Sequence, residues 1–166
     1  MEKEFILLIN SHRGLLYKIC NLYCKEAEDR KDLFQEIVLQ LWKAFPGFRQ
    51  ASAVSTWMYR IGLNTAISNF RNQKRKIFPA AFSDYELEIP APEQFSDSDE
   101  NITALHLAIG TLNTIEKAVV MLYLEEKSYE EIAQILGITK TNVGVKLNRI
   151  KNKLEALLKS DKYELR

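Results

Sequence analysis

At 166 residues the chain suits one or two small domains and excludes a large multidomain enzyme. Hydrophobic residues (46%) and charged residues (27%) suffice for a buried core, while six glycines and four prolines leave too few turns for a β-sandwich or barrel. Net charge is only +1, yet that sum hides an uneven distribution along the chain.

The first 48 residues hold seven acids and seven bases. Glu2 and Glu4 do not suit the basic start of a secretory signal, and no apolar run nears the roughly 20 residues of a membrane span. Phe5, Leu8, Leu15, Leu16, Ile19 and Leu22 recur at helical spacing, predicting one helix weakened in its middle by Gly14. The only two cysteines, Cys20 and Cys24, are too few for a disulfide framework and point to a reducing cytosol. A second helix is expected over residues 29–45, with Leu33, Phe34, Ile37, Val38, Leu41 and Phe45 on its apolar side and Pro46-Gly47 ending it.

A third helix is expected over residues 54–76. Val54, Trp57, Met58 and Ile61 share one side of it, and Leu63, Ala66, Ile67 and Phe70 the other, so it should meet different neighbours along its length. Arg60, Asn64, Arg71 and Arg75 fall in one stripe. Such a stripe is a solvated face or a rail along a nucleic-acid backbone. Residues 49–76 hold six bases and no acid, which favours the rail, because solvated faces usually mix signs. Gly62 lies inside this helix with no reason visible in the sequence.

Residues 78–101 hold three of the four prolines, and residues 84–100 carry seven acids and no base. This is the composition of an extended linker. It divides the chain into expected domains at 1–77 and 102–166.

In the second domain, Ser128-Tyr129-Glu130-Glu131 has the form of a capping box ahead of Ile132, Ala133, Ile135 and Leu136. Gly137 suits a left-handed helix end and Thr139 a new N-cap. Val143, Leu147, Ile150 and Leu154 then form an apolar stripe. Small Ala133, turning Gly137 and apolar Val143 at these offsets describe a helix-turn-helix. A plain helical hairpin would leave unexplained why residues 132–154 carry five bases and no acid. In a DNA-reading helix of this kind the early outward residues approach base edges, here Lys140, Thr141, Asn142, Val145, Lys146 and Arg149.

Together these pieces make the chain resemble the extracytoplasmic-function sigma factors of the sigma-70 family. The likeness rests on Asp32-Leu33-Phe34-Gln35-Glu36, Leu41-Trp42, Phe48-Arg49, and the run from Ser55 to Ile61 that continues into Asn64-Thr65-Ala66. It closes the first domain on the run from Arg71 to Arg75. In the second domain it rests on the run from Ser128 to Ala133 and on Leu136-Gly137-Ile138. The resemblance implies an all-α fold, with a three-helix region 2 domain and a helix-turn-helix region 4 domain joined by the acidic linker.

It also implies a non-enzymatic, cytoplasmic protein that needs no cofactor or metal, is a monomer when free, and does not insert in a membrane. Its partners would be core RNA polymerase, promoter DNA and an anti-sigma factor. Asp32, Gln35 and Glu36 match the polymerase-docking positions, although an ordinary polar face would look the same. The −10 element would be read and opened by Phe48, the 50–54 loop, Trp57 and Asn64, with Arg60, Arg71, Lys74 and Arg75 along the rail. Trp57 suits base stacking or core packing equally. The −35 element would fall to Lys140, Thr141, Asn142, Val145, Lys146 and Arg149. The acidic linker would lie in the polymerase channel that RNA later occupies. The chain departs from the family at Gly144 and Val145, where a basic residue and a serine are common.

Two other readings compete. A stand-alone transcription regulator would use the helix-turn-helix without polymerase, but it should have a sensory or dimerising first domain. A metal or thiol sensor would use Cys20, Cys24 and His12, but the second ligand pair of a structural zinc site is missing. No phosphate-binding loop or nucleophile motif suggests catalysis, and His106 stands apart from any carboxylate cluster.

Overall fold

The computed structural model describes residues 1–48, 53–72 and 100–164, which fall into two compact units, one on each side of residues 73–99. Among the described residues every regular element is a helix. Lys74, Arg75, most of the 50–54 loop and nearly all of the expected linker lie outside the described residues.

The first unit contains α1 (Glu2–Ser11), α2 (Arg13–Tyr23), α3 (Ala27–Ala44), a 3-10 turn (Phe45–Gly47) and α4 (Val54–Asn72). The single first helix expected from periodicity is thus two. The break falls at His12, whose backbone leaves helical geometry at φ −118° and ψ 17°. Its amide bonds the Ile9 carbonyl in 3-10 fashion, and its Nδ1 lies 3.0 Å from the Leu8 carbonyl oxygen. The His12 carbonyl then accepts from the amides of Leu15 and Leu16 and starts α2. Around this break the buried set changes: Phe5 and Ile9 point inward from α1, and Leu16, Tyr17, Ile19, Cys20 and Tyr23 from α2. Leu8, Leu15 and Leu22, expected in the core, are only half-buried.

Helices α2, α3 and α4 pack on one another in pairs. Leu33, Phe34, Ile37, Val38 and Leu41 fill the inner face of α3. Because α4 lies against both other helices, Met58, Tyr59, Leu63, Ala66 and Ile67 are buried over a wide arc. This explains its apolar residues on opposite sides.

It also explains Gly62. A Cβ at that position would lie 2.7 Å from Ile19 Cδ1 and 3.6 Å from Ile37 Cγ2, so the missing side chain allows α4 to approach both neighbours. Ile19 and Ile37 are themselves fully enclosed.

The second unit contains α5 (Glu100–Gly110), α6 (Thr114–Leu124), α7 (Tyr129–Leu136) and α8 (Lys140–Glu164). α8 is its spine, since each of the other three helices packs against it. Val143, Leu147 and Ile150 of the predicted stripe are buried with Ala118, Val119, Leu122, Ile132 and Ile135, whereas Leu154 at its end is only half-buried.

A full capping box starts α6, with Asn113 Oδ1 accepting from the Glu116 amide at 2.8 Å and Glu116 Oε1 from the Asn113 amide at 3.2 Å. α6 ends with Glu126 in the left-handed region at φ 61°, and the Lys127 amide bonds back to the Leu122 carbonyl.

Gly62→Val should destabilise the first unit by about 1–3 kcal/mol, the usual result of forcing methyl groups into a filled core. Both tryptophans, Trp42 and Trp57, lie in this unit, so their fluorescence reports its urea midpoint. An unchanged midpoint would mean that Ile19 yields without cost.

Candidate nucleic-acid interface

In the second unit, the turn between α7 and α8 follows from a few local bonds. Ser128 Oγ accepts from the Glu131 amide at 3.1 Å, which is one half of the capping box expected there. Gly137 takes φ 69°, and the amides of Gly137 and Ile138 both bond the Ala133 carbonyl. Thr139 Oγ1 then accepts from the Asn142 amide at 3.1 Å and caps α8. Val143, buried beneath this turn, fixes which face of α8 looks outward.

That outward face carries Lys140, Thr141, Asn142, Val145 and Arg149, all exposed, with Lys146 half-buried beside them. Gly144 has room for a side chain, since a Cβ would meet only the Tyr129 ring, at an ordinary 3.7 Å.

The five bases of residues 132–154 are not equivalent. Lys153 Nζ bonds Glu116 Oε2 at 2.8 Å, tying α8 to the start of α6. Lys151 Nζ lies 4.7 Å from the centre of the Tyr123 ring, within cation–π range. Lys140 forms an exposed ion pair with Glu130 at 3.2 Å, a contact of little energetic weight. Two of the five, Lys151 and Lys153, therefore hold the unit together, which a charge count could not distinguish.

In the first unit, Arg60 and Asn64 are exposed one turn apart on α4, and Arg71 continues their register. Phe48 and Trp57 are half-buried and stacked, with ring centres 4.4 Å apart and planes 29° from parallel. Trp57 also meets Phe45 at 6.5 Å, so it belongs partly to an aromatic cluster within the unit.

On α3 the expected acidic docking face is narrower than its sequence implies. Asp32 is exposed and Gln35 half-buried, but Glu36 is 3% exposed and accepts from Gln40 Nε2 at 3.0 Å. Glu36 sits at the edge of the buried arc formed by Leu33 and Ile37, so Asp32 and Glu36 do not form one open surface.

Residues 8–76 match the family model for Sigma-70 region 2, and residues 102–154 that for Sigma-70, region 4. The chain belongs to the extracytoplasmic-function group of the sigma-70 family. It is 26% identical over 170 residues to the RNA polymerase sigma-H factor of Pseudomonas aeruginosa, covering 96% of this chain and 86% of that one. It is also 26% identical over 172 residues to the ECF RNA polymerase sigma-E factor of Haemophilus influenzae, covering 95% and 90%. Among solved structures, the sigma factor RpoE of Bartonella quintana, in complex with the anti-sigma factor NepR, has the same fold. Its TM-score is 0.67 at 22% identity, over 96% of this chain and 97% of that one. As a sigma factor, the protein directs promoter-specific transcription initiation.

Cys20 of this sigma factor lies buried in the core of the first unit. Burial, reinforced by Cys24, pushes the Cys20 thiol up to about 12, so it stays protonated in the core. No cluster of three or more metal-ligating side chains occurs among the described residues. No described helix is long and apolar enough to cross a membrane.

Glu116 is the buried charge that sequence reading missed, although Asn113-x-x-Glu116 is a capping pattern. Burial pulls its carboxyl up, but the Lys153 bond, the Asn113 amide and the charges of Lys153 and Lys146 outweigh that and hold it below the usual range. Its stabilising effect is therefore complete above the unfolded value of about 4.3 and is lost as pH falls through the lower folded value. Amide exchange in α6 and α8 should accelerate over that acid range. Glu116→Gln should abolish this acid dependence and cost about 1–2 kcal/mol at neutral pH. A wild-type exchange profile flat through acid would refute the role given to the pair.

Proposed function

We propose that this sigma factor divides its promoter contacts between the two units, with residues 1–77 reading and opening the −10 element and residues 102–166 reading the −35 element. The single observation that carries the second assignment is the outward face of α8, held by the Gly137 turn and the Thr139 cap. Lys140, Thr141, Asn142, Val145, Lys146 and Arg149 face the DNA groove in this reading. The first assignment is supported by the Phe48–Trp57 stack beside exposed Asn64 and Arg60. Arg71, Lys74 and Arg75 extend the cationic rail along the strand backbone. Asn64 offers both donor and acceptor groups to a base edge.

Docking on core polymerase falls to Asp32 and Gln35, with buried Glu36 holding the local geometry through Gln40. The acidic segment 78–101 connects the two tasks. The protein acts as a cytoplasmic regulator without enzymatic activity, is a monomer when free, and is held inactive by an anti-sigma factor. The complex of the Bartonella quintana relative with NepR supports that last partner.

Run-off transcription with core polymerase over a genomic library tests the proposal directly: discrete starts are expected, and none would refute it. Mixing the chain with core enzyme and sizing the product separates it from a stand-alone regulator, which would form no stable complex.

The partition of charges on α8 sharpens the DNA test. Lys146→Ala or Arg149→Ala should each lower the salt slope of −35 binding by about one. Lys153→Ala should leave that slope unchanged. Equal slopes for all three variants would contradict the assignment. Asn64→Ala should retain polymerase binding while impairing strand opening, as read by permanganate reactivity; wild-type reactivity would remove Asn64 from the site.

A further inference from the structure

The early cations of α8 stand on opposite flanks of its buried stripe. Lys140 takes the flank beside α7, where its Nζ lies 3.2 Å from Glu130 Oε1. Gly144, one turn on, keeps to the same flank, since a Cβ there would meet the Tyr129 ring of α7. Lys146 and Lys153 are two turns apart and nearly aligned, and they take the flank beside α6. There Glu116 bonds Lys153 Nζ at 2.8 Å and also feels the Lys146 charge. One acid against two bases leaves that flank positive. Arg149 points outward between the flanks and has no acidic partner among the described residues.

The α7 flank differs. Glu130 and Lys140 are both open to water, and such a pair adds little to stability, so its consequence is electrostatic. Grip on a phosphate backbone follows the counterions released, and so the net charge that each stretch of protein brings to DNA. While Lys140 keeps Glu130, the pair brings none. If Lys140 swings onto a phosphate, a bare carboxylate is left facing the polyanion, and the net is again none. The presence of the acid decides the outcome, whichever way the lysine turns. Gly144 adds no charge of its own, so the first two turns of this flank are neutral.

We propose that Glu130 is a brake on −35 binding: it cancels Lys140 at the leading end of α8 and leaves the backbone grip to Lys146 and Arg149. The inference rests on the reading of this face as the −35 surface. Sequence-independent attraction to DNA is electrostatic, so the brake holds it down without touching Thr141, Asn142 or Val145, which remain to read base edges.

The test uses reconstituted holoenzyme and fluorescent duplexes that end upstream of the −10 element. One duplex carries a −35 element mapped by run-off transcription, and the other a scrambled version. Affinity is followed by anisotropy over a range of potassium chloride. Glu130→Gln should steepen the salt slope by about one and tighten both duplexes roughly threefold to tenfold at low salt. Glu130→Gln combined with Lys140→Ala removes both charges and should return the slope to that of the unaltered protein. Exchanging the two charges, Glu130→Lys with Lys140→Glu, should do the same.

An unchanged or shallower slope in Glu130→Gln would overturn the brake. A slope below that of the unaltered protein in the doubly neutral variant would overturn it too, because Lys140 would then be an ordinary phosphate contact. Tightening confined to the −35 duplex would make Glu130 a base-reading residue and overturn the proposal. Failure of the unaltered holoenzyme to prefer the −35 duplex over the scrambled one would instead refute the promoter reading itself. Glu130 and Lys140 lie outside the core, and thermal melts matching the unaltered protein would show that the variants differ only in charge.

Discussion

The surface of the first unit depends on how deeply α4 sinks between α2 and α3. At Gly62 the helix backbone comes so close to Ile19 that no ordinary side chain fits without displacing it. A glycine inside a helix costs about 1 kcal/mol relative to alanine. Here that loss is offset by burial of Met58, Leu63 and Ala66 against two neighbours at once. With the inner arc so wide, the outer arc is narrow, and Arg60 and Asn64 emerge on it in line. Their alignment is a consequence of packing as much as of helical period.

The second unit solves a different problem. Its longest helix is both the spine that three others lean on and the bearer of the outward polar face. The two uses are compatible because Val143, Leu147 and Ile150 recur on one side while Lys140, Thr141, Asn142, Val145 and Arg149 take the other. Where α6 crosses its later turns, cations serve the interior: Glu116 takes Lys153, and the Tyr123 ring takes Lys151. Charge along α8 thus changes purpose from one end to the other.

Much of this was legible in the sequence because apolar periodicity and turn chemistry agree with one another. The α7–α8 turn is the clearest case, since Ser128, Gly137 and Thr139 each take the local role their chemistry predicts. The break at His12 was not legible: Gly14 was the visible weak point, and a histidine is no ordinary helix terminator. The left-handed residue after α6 was hidden for a similar reason, because Glu126 stands where glycine would have announced it. Glu36 misled because its i, i+4 relation to Asp32 describes only the helix, whereas its burial is decided by what α3 packs against. Lys153 and Lys151 could be counted only as members of a basic block, because their partners are remote in sequence. Local chemistry could be read, and long-range pairing could not.

The separation of faces on α8 has an evolutionary corollary. Outward positions such as Thr141, Asn142 and Val145 contribute little to the core, so they can be exchanged without refolding the unit. A duplicated copy could thus acquire a new set of target genes through a handful of substitutions, while its hidden face kept the scaffold unchanged. The vacant space at Gly144 gives such drift one more position at which to add a side chain.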